Sequence, residues 1–224
     1  MYSRNKLEVV DTFVILQCMG PTYDGFTYLP ALDTRGGIFL AWDTTRVRLT
    51  NFVNDSHSIT GYVSPTEGVP WWLTVVYGPQ EDEHKINFLN ELSEHRSLCP
   101  GPWLVMGDFN LILYAADKSN SNLDRRMMGK FKRFVDNNAL KELYFHGRKY
   151  TWINERETPM LTKIDCTFVC VDWELEHLDC LLQALSTEYS DHCPLHLVLH
   201  ERMHVRRRFH FEKFWVKMDS FSDV

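Results

Sequence analysis

Apolar residues along this chain fall into short runs separated by turn-forming residues, and the runs differ in period. Trp103-Leu-Val-Met106 has no polar alternation, the pattern of a short strand covered on both faces, and it stops on Gly107-Asp-Phe-Asn110. Trp71-Trp-Leu-Thr-Val-Val-Tyr77 is aromatic and β-branched and ends at Gly78-Pro79, which predicts a second strand. Leu195, Leu197 and Leu199 recur at every second position, as in a half-buried strand. Tyr150–Ile153 and Lys163–Cys170 read as strands on either side of a turn at Glu155–Pro159. Two more strands are predicted at Gly37–Trp42 and Arg46–Val53, with Ser58–Val63 placed to pair with them. A helical period runs through Asp82–Leu98, with Ile86, Leu89 and Leu92 on its apolar side. A second helix is predicted over Asn122–Leu143, capped by Asp124, with Met127, Phe131, Phe134 and Val135 on one face. Strands, hairpins and helices in this mixture predict an α+β fold, a two-layered β-sandwich flanked by helices.

Composition narrows the class. A chain of 224 residues suits one large domain with a substantial core. Residues 1–200 read as that domain and 201–224 as a basic, aromatic tail or the start of a linker. Apolar residues at 44% and aromatics at 13% exclude a disordered chain. No apolar run approaches the roughly 20 residues of a membrane span, and the polar N-terminus is unlike a signal peptide. The cysteines at 18, 99, 166, 170, 180 and 193 form no CxxC pair, so reduced thiols and an intracellular protein are expected. A net charge of −6 argues against a simple basic coat for nucleic acid. The tail is the basic exception: Glu201 to Lys217 holds six Lys/Arg against two Glu, with Phe209, Phe211, Phe214 and Trp215 between them. It reads either as a DNA-backbone patch with stacking aromatics or as a solvated linker, and the linker is favoured because short basic runs are common.

Candidate chemistry gathers at the strand ends. A carboxylate at the mouth of a core strand is costly unless it is paired or binds a metal, and in open sheets ligands sit at the C-terminal strand ends. That singles out Asp108 and Asn110, although an Asx turn closing the strand explains the same residues. Asp191-His192, at the start of the Leu195–Leu199 strand, pairs a hard oxygen ligand with an imidazole, a combination suited to metal-assisted hydrolysis of a phosphate ester. Tyr77 ends its strand as Asp108 does, and Asp165 is an acid in an apolar run. Taken singly, Tyr77 reads as a core phenol, Trp152 as a core aromatic and Asp165 as an outward-facing strand residue. His192, His196, His200 and His204 are four apart, but a strand would separate His196 from His200 by about 13 Å, too far for a shared zinc.

Val76-Tyr-Gly-Pro79, Gly107-Asp-Phe-Asn110, Tyr150-Thr-Trp152, Ile164-Asp165 and Ser190-Asp-His-Cys-Pro194, together and in this order, resemble the endonuclease/exonuclease/phosphatase superfamily. Gly36-Gly-Ile-Phe-Leu-Ala-Trp42 and the Arg206–Trp215 tail look like the apurinic-endonuclease-like domain of plant LINE-type (non-LTR) retrotransposons. Other branches usually carry a His near the position of Tyr77, which Val75-Val-Tyr-Gly78 lacks. The resemblance implies a DNase I-like fold and a Mg²⁺-dependent DNA endonuclease, with Mn²⁺ as a substitute. Asp108 would orient or deprotonate the attacking water, and Asn110 would hold the scissile phosphate. His192 would stabilise phosphate charge, oriented by Asp165, while Tyr77 would contact the phosphate or the leaving oxygen. Asp191 would help hold the metal, with Trp152 packed beneath the site. DNA is the implied partner, with a reverse transcriptase in a full-length element, no membrane, and a nuclear location for a functional protein.

The chain also departs from that pattern. The family carries an Asn on its first strand and a metal-binding Glu on the next, in a Gln-Glu-Thr-Lys-like motif. Lys6-Leu7 resembles the end of this motif, which puts Arg4 at the Glu position, four residues from Glu8. The first strand is therefore expected to be missing, through either a mis-started gene model or a decayed element. Cys166 stands where the branch usually has Arg. The sequence thus carries two readings, a Mg²⁺-dependent endonuclease domain and a catalytically inactive remnant or binding module of the same fold.

Overall fold

The computed structural model describes residues 20, 22–31, 36–154, 159–187 and 190–199. Its strands, in chain order, are β1 (Gly25–Leu29), β2 (Ile38–Trp42), β3 (Val47–Asn54), β4 (Ser58–Pro65), β5 (Trp71–Tyr77), β6 (Trp103–Asp108), β7 (Leu140–Glu142), β8 (Phe145–His146), β9 (Trp152–Ile153), β10 (Leu161–Thr162), β11 (Asp165–Cys170), β12 (Leu181–Ala184) and β13 (Leu195–Val198). Three helices, α1 (Asp82–Leu98), α2 (Arg125–Asn137) and α3 (Val171–Glu176), lie between them.

Six strands in the order β3-β4-β5-β6-β11-β7 make the main sheet. Its one parallel pair, β5–β6, is joined through α1, because parallel neighbours need a crossover. A second sheet, β13-β12-β8, and the hairpins β1–β2 and β9–β10 complete the β-structure. β1 packs on β4, and β2 on β3 and β5. Leu40 and Trp42 of β2 and Leu197 of β13 pack against the same core as the main sheet, so the layers share one interior. This is the expected α+β sandwich with helices. The expected absence of a first strand concerns residues outside those described, as do Arg4, Glu8, Cys18, His200, His204 and the basic tail.

The helices form where apolar residues recur at helical spacing. α1 buries Phe88, Leu89, Leu92 and His95, and α2 buries Met127, Phe131, Phe134 and Val135. Asp124 caps α2 as expected, accepting the Met127 N–H at 2.9 Å. The predicted helix over Asn122–Leu143 is too long at both ends. The cap starts it at Arg125, and Asn138 stops it by donating its side-chain amide to Phe134 O. Ala139 then turns left-handed at φ +50°, and Leu140–Glu142 pairs with β11. The predicted strand over Lys163–Cys170 begins only at Asp165, with Leu161–Thr162 pairing instead with β9. Phe26–Leu29, not predicted as a strand, pairs with β2.

Around Phe109 the core is aromatic. Its ring lies 5.2 Å from those of Phe131 and Phe168 and 6.2 Å from Phe88, so both long helices and the sheet meet on one side chain. Phe109 sits between Asp108 and Asn110, and it pins that turn to the core.

Candidate active site

Three strand ends meet at one place. In the parallel pair, Tyr77 is level with Asp108. Because β11 runs antiparallel to β6, Asp165 at its start lies directly opposite Asp108. Two acids and a phenol thus form a row across the main sheet. The turn after β6 is built by close backbone approach. Gly78 N–H donates to Asp108 O at 2.7 Å, and a Cβ on Gly78 would lie 2.3 Å from Phe109 O. Gly107, at φ +135°, has no room for a Cβ against Val76 O. Asn110 is left-handed at φ +50°; its backbone N–H donates to Asp108 Oδ1 at 2.8 Å and its side-chain amide to Gly78 O at 2.8 Å. The Asx-turn reading of Asp108 is therefore correct as local structure, and it fixes the carboxylate at the strand mouth.

His192 arrives on the segment that leads into β13 of the second sheet. It forms a bridge with Trp152, and Cys193 N–H donates to Thr151 O at 2.6 Å. His192 Nδ1 lies 2.9 Å from Asp165 Oδ2. A carboxylate only accepts, so Nδ1 carries the proton and Nε2 is the nitrogen able to meet a ligand. Asp191 Oδ2 accepts the indole N–H of Trp152 at 3.0 Å. Trp152 therefore orients an acid rather than serving only as packing.

Asp108, Asp165 and His192 each offer a ligand atom within 4.8 Å of the others. They are a group able to hold a metal ion. Burial first, then the charge of Asp165, pushes the Asp108 carboxyl up to about 7, against the Asn110 N–H and His192, with Asp191 adding to the push. Burial opposes protonation of His192, but the hydrogen bond and charge of Asp165, with Asp108 and Asp191 beyond, raise its pKa overall. Crowded carboxylates with one buried acid held near neutrality are what a bound cation would relieve.

A cavity of about 670 Å³ opens on this group and is lined by Tyr77, Asp108, Asn110, Trp152, Asp191 and His192, among others. Asp165 stands just behind, against His192. Tyr77 packs its ring close to Gly36, where a Cβ would lie 3.0 Å from it. All six residues singled out in the sequence, Tyr77, Asp108, Asn110, Asp165, Asp191 and His192, are thus brought together. His196 is exposed and bonds to Gln183, away from this group.

Some of the site was not foreseen. Thr151 is buried, and its hydroxyl accepts the backbone N–H groups of both Ile164 and Asp165, at 3.1 and 3.0 Å. It sets the start of β11, yet as a lone threonine it gives no sign in the sequence beyond its place beside Trp152. Lys85, Lys118, Met127 and Met128 line the cavity from α1, the loop after β6 and the start of α2. Thr162 lines it too, and its hydroxyl is buried without a hydrogen-bond partner among the described residues.

Solved structures share this arrangement of strands. The endonuclease domain of TRAS1, a telomere-specific non-LTR retrotransposon, superposes with a TM-score of 0.62 at 14% identity, covering 81% of this chain and 83% of that one. D. rerio TDP2, complexed with single-strand DNA product, gives 0.54 at 12% identity over 84% and 81% of the two chains. An endonuclease/exonuclease/phosphatase family protein from Bacteroides thetaiotaomicron gives 0.52 at 13% identity over 79% and 74%. The chain has the endonuclease/exonuclease/phosphatase fold. No protein-family model and no curated protein sequence matches it. Within this fold, the row Tyr77–Asp108–Asp165 and the incoming Asp191-His192 occupy one end of the sandwich, and the cavity is the candidate active site.

Proposed function

We propose that this chain is a metal-dependent phosphodiester hydrolase domain acting on DNA, an endonuclease of LINE-type retroelement origin. The observation that carries the reading is the convergence of Asp108, Asp165 and His192 from three separate parts of the sequence into one group beside the cavity. The TRAS1 domain and TDP2, with its single-strand DNA product, are DNA-linked proteins of the same fold, which supports DNA as the substrate class.

Asp108, pushed up to about 7, is matched to accepting a proton from an attacking water near neutral pH. Protonated His192, held by Asp165, offers Nε2–H to a phosphate oxygen. Asn110 keeps one amide proton beyond its bond to Gly78 and would hold the same phosphate. Tyr77 would contact the phosphate or the leaving oxygen. Asp191, oriented by Trp152, would help hold Mg²⁺ or Mn²⁺, since Mg²⁺ needs only one or two carboxylates and keeps its other waters. When bound, the ion would supply charge neutralisation at the phosphate. In a full-length element a reverse transcriptase would follow, and the protein would act in the nucleus.

A second reading has its own observation. Arg4 stands where the resemblance calls for the metal-binding Glu, which favours an inactive relative or a binding module. Nicking of supercoiled plasmid in Mg²⁺ separates the two. The chain is compared with Arg4→Glu, with a form extended by a family-type N-terminal strand and Glu, and with Asp108→Ala. Nicking by the extended form alone marks a competent but incomplete site. Nicking by the chain itself removes the need for that Glu. In any form that nicks, Asp108→Ala is expected to lower the rate at least about 100-fold; an undiminished rate would refute the role of Asp108.

A further inference from the structure

The charge on α2 runs against its own dipole. Helices favour acids in the first turn and bases in the last, and α1 obeys, with Asp82 and Glu83 at its start and His95 and Arg96 at its end. In α2 the first turn holds Arg125 and Arg126, with no acid inside the helix before Asp136. Arg125, Arg126, Lys130, Lys132 and Arg133 put five cations on thirteen residues, in a chain of net charge −6. None of the five makes an ion pair among the described residues. Asp124 at the N-cap is the one acid at that end, so the helix presents a mostly exposed basic face that an anionic partner would fit.

The position of the helix indicates which partner. Asp82 and Lys85 of α1, Met127 and Met128 of α2 and its cap Asp124 line the candidate active-site cavity, so both helices begin there. Further along they stay side by side, and Asn138, just past α2, donates to Ser93 Oγ of α1 at 3.1 Å. A groove of about 190 Å³ lies between them, with Lys130, Arg133 and Asn137 on one bank and Ile86, Asn90 and Ser93 on the other. The α1 bank lining the groove is uncharged. Arg126, Lys130 and Arg133 are spaced i, i+4 and i+7, which puts them on one side of α2. They span about 10 Å, the axial rise of roughly three nucleotides of one strand.

The geometry points to the α1–α2 groove as the track for the phosphate backbone of a DNA duplex flanking the scissile phosphate, with Arg126, Lys130 and Arg133 as its contacts. This rests on reading the cavity as a phosphodiester site, and it places a DNA-binding patch on the folded domain. Shape-directed contact with phosphates carries no sequence information, so the groove would position the duplex without selecting its sequence.

Binding of a short fluorescein-labelled duplex, followed by anisotropy against salt in EDTA, tests it without requiring turnover. Lys130→Gln/Arg133→Gln should weaken binding roughly tenfold and reduce the slope of log K against log salt by about two. Arg46→Gln/Arg48→Gln, the same charge change at the start of edge strand β3 and in the turn before it, should leave the slope close to wild type. Circular dichroism confirms that each variant folds. Equal slopes for the two variants would overturn the proposal, as would binding to mixed phosphatidylcholine–phosphatidylserine vesicles in place of the duplex. Plasmid nicking by the same preparations judges catalysis separately. Groove-dependent binding without nicking, by this chain and by its extended form alike, keeps the track and removes the catalytic reading, whereas nicking with an unchanged slope does the reverse.

Discussion

Asp108 illustrates how a single residue couples stability to chemistry. Folding raises its pKa from 3.8 to about 7, so protons favour the folded state. That contribution is complete below the ordinary value of 3.8 and is lost as the pH climbs through about 7. His192, also raised by folding, acts in the same sense, with its contribution complete below 6.5 and lost above its folded value. In chelator the protein is therefore expected to lose stability between about pH 4 and pH 7, by on the order of 2–4 kcal/mol from Asp108. Asp108→Asn should remove most of that dependence and melt higher than wild type near pH 8, and a divalent cation should narrow the gap by stabilising the ionised site. Melting curves across pH decide this, and parallel curves for the two proteins would contradict it. Asp108 was legible in the sequence because an acid at the end of an apolar strand is conspicuous. Thr151 was not, because its effect comes from two backbone N–H groups that only the fold brings to its hydroxyl.

At the level of elements, strands and helices were most readable where burial and period agreed, as in β5, β6 and α1. The end of α2 was misread because the apolar residues past it, Leu140 and Leu143, continue a pattern whose backbone has already turned into a strand. The turn uses Ala139 at φ +50°, a conformation that costs a residue with a Cβ about 1 kcal/mol or more and that glycine adopts freely. Ala139→Gly is accordingly expected to stabilise the protein by roughly 0.5–1 kcal/mol, the favourable backbone term outweighing the extra freedom of the unfolded chain. Urea denaturation reads the change in midpoint; a lower midpoint would show that this turn is not strained. Alanine is an unusual helix terminator, so nothing in the local sequence marked the boundary.

On the scale of the whole molecule, the candidate site and the core are one construction. Phe109 joins β6 to α1, α2 and β11, and its neighbours Asp108 and Asn110 face the cavity. Phe109→Ala should cost about 3–5 kcal/mol, as for other buried phenylalanines. It should also disorder the turn that holds Asp108, so any activity should fall by more than the folded fraction accounts for. Activity per folded molecule, from parallel denaturation and nicking data, checks this. A loss explained by unfolding alone would mean that the turn holds itself.

By itself the sequence determined the α+β class, most strands, both long helices and the identity of the six residues that meet at the cavity. The elements were legible because hydrophobic period is local and turn residues mark strand ends, whereas the six residues as a set came from the resemblance that their motifs bear to a known superfamily. Tertiary structure alone decided that Asp165 faces Asp108 across an antiparallel pair, that His192 reaches Asp165, and that Trp152 holds Asp191. Those are relations between segments dozens of residues apart, set by strand register and sheet order. The basic row on α2 belongs to both: its charges are plain in the sequence, but only the packing of α1 beside α2 turns them into one bank of a groove leading from the cavity.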